Sequence, residues 1–181
     1  MADDHGVPGH RVVTASQFVW HDVLTSLRRD PAMIANAQYW RFVTAWLVHD
    51  DGLEQIVFSF TTLAILGTFA ERLFGRRLWG MAYVACGLVG EVAGIFWQPV
   101  GGGNSVALCG LAGLLAVYLA ARTDQPVQVR FGFPVVVLGG GILLTAMSDI
   151  HGPPLMAGIL IGLIARRLRP ALFGGNTYQS K

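Results

Sequence analysis

The sequence predicts an all-α integral membrane protein, a bundle of about five transmembrane helices, and three observations carry that prediction. First, 53% of the 181 residues are hydrophobic and only 13% are charged, which is too apolar for an ordinary soluble domain. Second, five apolar runs approach the roughly 20 residues that a bilayer-spanning helix needs: Leu53 to Ala70, Leu78 to Val100, Val106 to Ala121, Phe131 to Met147 and, shorter, Pro153 to Ala165. Third, the 23 glycines fit helices that pack in lipid, where no hydrophobic force drives association and small residues let backbones approach.

Taken in order, residues 1–38 contain no apolar run and lack the pattern of a secretory signal peptide. They are expected to form a polar extramembrane segment with an amphipathic helix around Gln17 to Leu27. The membrane domain is expected over 39–169 and a cytoplasmic tail over 170–181. Lys and Arg in the connections set orientation. Arg72, Arg76 and Arg77 lie between the first two spans, Arg122 and Arg130 follow the third, and Arg166, Arg167, Arg169 and Lys181 follow the fifth. These connections are expected inside the cell, while Gln98 to Asn104 and Ser148 to Gly152, which carry no Lys or Arg, face outward. Arg11, Arg28, Arg29 and Arg41 run against this count, since they would lie outside. Gly110 and Gly113 on the third span, with Gly158 and Gly162 on the fifth, predict close packing of those two helices. Cys86 and Cys109 lie within spans and lack metal-ligand or disulfide spacing, so they read as small packing residues. No motif points to a soluble cofactor, a metal or nucleic acid, and the oligomeric state is not legible.

Four landmarks carry a resemblance. Tyr39, Trp40, Arg41, Phe42, Val43 and Thr44, followed by His49, form one; Gly67 with Glu71, Arg72, Leu73, Phe74 and Gly75 form the second. Gly103, Asn104 and Ser105 followed by Gly110, Leu111, Ala112 and Gly113 form the third, and Ala157, Gly158, Ile159, Leu160, Ile161 and Gly162 the fourth. Their order over residues 39 to 169 resembles the rhomboid superfamily, whose active members are intramembrane serine proteases. The resemblance implies Ser105 as nucleophile, acting on transmembrane protein substrates or holding transmembrane partners. Arg-rich connections with a single lysine, Lys181, suggest a high-GC genome and so a bacterial plasma membrane.

The pattern is degenerate where the chemistry lies. The resemblance implies a histidine base two residues before the Ala-Gly of the last helix, and that position is Leu155, which cannot accept a proton. Aligning Gln55 and Ser59 with the family's oxyanion-hole histidine and asparagine needs one extra residue after His49; both side chains can still donate hydrogen bonds, and Asn104 is the third candidate donor. Val106 replaces a glycine after the serine and narrows the cleft. The helix that precedes the Trp40–Arg41 loop in the family's six-helix core has no counterpart in residues 1–38, so the chain is either a five-span variant or begins downstream of a longer one.

Three readings follow. The leading one is a non-catalytic rhomboid-like protein, with Ser105 serving only as a helix cap. The second is a protease whose base has moved one turn, to His151 in the loop before Pro153 and Pro154. The third is a small transporter built around Glu91, an ionisable residue placed mid-span, which could equally be hydrogen-bonded glue between helices.

Overall fold

The computed structural model describes residues 21–174, and among these it is helical with no β-strand. Two short helices, α1 (His21–Leu27) and α2 (Pro31–Ala35), lead into α3 (Arg41–Thr44). Asp30 caps α2 by accepting from the amides of Ala32 and Met33, with Pro31 in the first turn where its missing N–H costs nothing. The bundle follows: α4 (Gly52–Thr62), a π-helical stretch (Leu63–Gly67), α5 (Thr68–Trp97), α6 (Ser105–Ala121), α7 (Phe133–Ala146), α8 (Gly152–Leu168) and the terminal turn α9 (Pro170–Phe173). The portion of the expected Gln17 to Leu27 helix before His21 lies outside the described residues.

Helix runs almost unbroken from Gly52 to Trp97, long and apolar enough for membrane crossing. It divides at Gly75, whose φ of 76° and ψ of 158° suit glycine and strain any residue with a Cβ. The chain folds back there. A Cβ built on Gly67 would lie 3.8 Å from the Trp79 indole nitrogen, whereas twelve residues of straight helix span about 18 Å. Residues 52–74 and 76–97 therefore form the first two spans, with the Arg76, Arg77 pair at the turn and Arg76 donating to Glu71 at 3.0 Å.

The third span, α6, is buried along its length from Val106 to Tyr118 and forms the centre of the bundle. Its most extensive pairing is with α8, then with α5. Glycine makes this possible: a Cβ on Gly158 would overlap the Gly110 carbonyl, one on Gly113 the Leu155 carbonyl, and one on Gly110 the Cys86 side chain. The expected approach of the third and fifth spans is thus made by the glycines that predicted it. Helix α7, continued upstream by a π-helical stretch (Gln128–Gly132), buries only Val137 and Gly141 and lies at the periphery. At the end carrying the Gly75 turn, Phe173 of α9 closes the core against Phe74 and Tyr118, with ring centroids 5.9 and 6.0 Å away. The family landmark Trp40 is exposed beside Tyr39, whereas Arg41 is buried and donates to Gln38 and to the carbonyls of Thr25 and Arg28. Arg41 is therefore a staple that ties residues 25–28 to the start of α3. His49 is buried against Phe60.

Candidate active site

At the end of the bundle opposite the Gly75 turn, the glycine run Gly101–Gly103 delivers Ser105 to the start of α6. Arg29 zips this loop into place, its N–H donating to the Gly101 carbonyl at 2.8 Å and its carbonyl accepting from Gly101 at 3.2 Å. Gly103 donates to the Ala45 carbonyl at 2.8 Å. It holds φ at 141°, and an added Cβ would stand 2.7 Å from the Gln55 amide nitrogen, so this position takes only glycine.

The N-cap of α6 is Asn104, and Ser105 is the first helical residue. The expected capping role for Ser105 is therefore not what its hydroxyl does. Ser105 Oγ lies 2.9 Å from His151 Nε2. His151 is itself the N-cap of α8, which begins one residue before Pro153, so the two prolines fall in the tolerated first turn. Its carbonyl accepts from Leu155 N–H at 3.4 Å, which fixes the two residues one helical turn apart. Leu155 is 7% exposed and packs with Ala116 and Val137. The position that the resemblance reserves for a base is filled by core, and the histidine one turn earlier reaches the serine.

Asp149, which the sequence reading did not single out, completes the arrangement: its Oδ1 accepts from the His151 backbone N–H at 2.9 Å and lies 2.6 Å from His151 Nδ1. Burial pushes this carboxyl up, but the amide and ring of His151 outweigh it and leave it below the ordinary carboxylate range. The available signal was the spacing, an Asp two residues before a His in a turn, where an aspartate commonly accepts from the backbone two residues on.

Ser105 and His151 open onto a cleft of about 160 Å³ that is also lined by Gln55, Val106, Arg29 and Glu91. Gln55 sits there with its amide donating to Gly102 at 3.1 Å and its carbonyl accepting from Asp51 at 3.1 Å. Asn104 and Ser59 are fully buried and are not among the residues lining the cleft. Asn104 faces the Tyr83 hydroxyl, yet its amide atoms have no partner at hydrogen-bond distance, and neither does Ser59 Oγ. Val106 packs on Gly90, where a Cβ would come within 2.6 Å of it, so its branched side chain is absorbed by α5.

Glu91 has a partner that no local pattern announces. Arg29 donates to it at 2.7 Å, with side chains 2% and 1% exposed, and the same guanidinium donates to the Gln98 carbonyl at 2.7 and 3.2 Å. The mid-span carboxylate is thus neutralised by the segment that precedes the bundle.

A family model described as Rhomboid domain matches residues 36–168. The chain is also similar to Rhomboid protease GluP of Bacillus subtilis (strain 168), 27% identical over 143 residues. That similarity covers 76% of this chain but 27% of the relative, so the chain spans about a quarter of that protein's length.

Proposed function

The chain belongs to the rhomboid superfamily, and from that premise we propose that it is an intramembrane serine protease in which His151 does the work of the missing family histidine. The observation that carries this reading is the 2.9 Å contact between Ser105 Oγ and His151 Nε2. A serine hydroxyl becomes a competent nucleophile when a neighbouring base takes its proton as the new bond forms. His151 Nε2 takes that proton as Ser105 attacks the scissile carbonyl of a transmembrane protein, then returns it to the departing amine. Water, activated by the same nitrogen, cleaves the acyl-enzyme. The amides at the start of α6 lack intrahelical acceptors and, with the Gln55 amide beside them, supply donors for the oxyanion. The protein works in the bilayer; a bacterial plasma membrane with the Arg-rich connections and the C-terminus inside fits the charge distribution.

A second reading, a non-catalytic member that holds transmembrane partners, is favoured by Leu155 in the core and by the burial of Asn104 and Ser59 away from the cleft. A fluorophosphonate probe separates the two. The full-length protein purified in detergent is expected to be labelled, with labelling abolished in Ser105→Ala and slowed at least about 1,000-fold in His151→Ala, as loss of a triad member slows other serine proteases. A folded, unlabelled wild-type protein would sink the protease reading and leave the binding one.

A further inference from the structure

We infer that Asp149 is a positioning residue that turns the Ser105–His151 pair into a triad, an inference that rests on the protease reading. Three observations lead to it. Asp149 Oδ1 lies 2.6 Å from His151 Nδ1, on the far side of the ring from Ser105. The same oxygen accepts from the His151 backbone N–H, so the carboxylate is fixed relative to the main chain as well as to the ring. The turn that holds it is itself fixed: Asp149 donates to the Leu144 carbonyl at 2.9 Å, Gly152 donates to the Asp149 carbonyl at 3.2 Å, and Ser148 adopts φ of 58° to end α7.

The chemistry follows from what each atom can do. An ionised carboxylate only accepts, so the short contact requires the proton on Nδ1. Nε2 then carries its lone pair toward Ser105 and can receive the hydroxyl proton. When it does, the ring becomes a cation held against the Asp149 charge, and the proton stays on nitrogen. The carboxylate therefore selects the tautomer and stabilises the imidazolium, two contributions that a histidine alone in a helix would lack. The role of turn-former is separable, because an asparagine oxygen can accept from the His151 amide equally well.

The test uses the full-length protein in detergent and a fluorophosphonate probe, whose reaction requires the activated serine and no knowledge of the natural substrate. Asp149→Ala and Asp149→Asn are expected to lower the maximal phosphonylation rate about 100- to 10,000-fold while the concentration for half-maximal rate stays within about twofold. An Asp149→Asn variant reacting within about twofold of wild type, beside an inert His151→Ala, would reduce Asp149 to a turn-former and overturn the inference while the protease reading stands. Should His151→Ala react like wild type, the reading of the base fails instead. Nitrogen-15 spectra of labelled histidine decide the matter without turnover. The wild type is expected to show His151 protonated at Nδ1 and bare at Nε2, a preference lost in Asp149→Ala; the opposite tautomer in the wild type overturns the inference.

Discussion

A single leucine separates what family comparison and geometry each say about this site. Leu155 fills the position of the family's base, but its side chain belongs to the core with Ala116 and Val137 and is not among the residues that line the cleft around Ser105. Placing a histidine there buries a polar ring among alkyl groups. Leu155→His is expected to lower stability by about 1–3 kcal/mol, read as a lower melting temperature in detergent, and Leu155→His combined with His151→Ala should not regain probe labelling. Regained labelling would mean that the ring at 155 reaches Ser105 after all. The sequence could place His151 one turn from Leu155 because helix periodicity is fixed; it could not say whether the ring folded toward Ser105, since that depends on where α8 starts. Two prolines bracketed the start without deciding whether His151 was loop or cap. Asp149 was harder still, because an acidic residue in a polar turn is unremarkable until the ring beside it is seen.

At the level of the helices, the five apolar runs each coincide within a few residues with a helix or helical segment of the bundle, because a bilayer demands runs of that length. Glycine was a less discriminating guide. Gly139 and Gly140 in α7 look in the sequence much like Gly110 and Gly113 in α6, yet a Cβ on either α7 glycine meets nothing within 4 Å, whereas Gly158 of α8 lies against the Gly110 backbone. Gly158→Ala is therefore expected to force α6 and α8 apart at a cost of about 1–3 kcal/mol, while Gly140→Ala should be neutral or stabilise by up to about 1 kcal/mol through helix propensity. Thermal unfolding of the two variants side by side checks this, and equal melting temperatures would contradict the packing described here. The distinction is a property of helix rotation, which a single sequence with glycines on several faces leaves open.

Across the whole molecule, three of the four arginines that ran against the charge count are tied down on the candidate-site side, while Arg11 lies outside the described residues. Arg41 is capped by two main-chain carbonyls, Arg28 faces Asp50 at 3.5 Å and Arg29 is sealed against Glu91. Charge counting weighs solvated residues in loops, and these are spent on internal partners. The Arg29–Glu91 pair was not legible because its members lie 62 residues apart and one sits in a segment that reads as merely polar. Removing one partner strands a buried charge, so Arg29→Met is expected to destabilise the protein by about 3–5 kcal/mol, and Arg29→Met with Glu91→Leu to recover much of that. Melting curves of the single and double variants test it; an Arg29→Met protein that melts like wild type would remove the pair from any structural role. Hydrolysis consumes a water molecule, and the hydrocarbon core of a bilayer holds none. Because His151 caps α8 at the rim of the cleft, with about a third of its side chain exposed, the proposed protease chemistry would draw its water directly from the bulk phase.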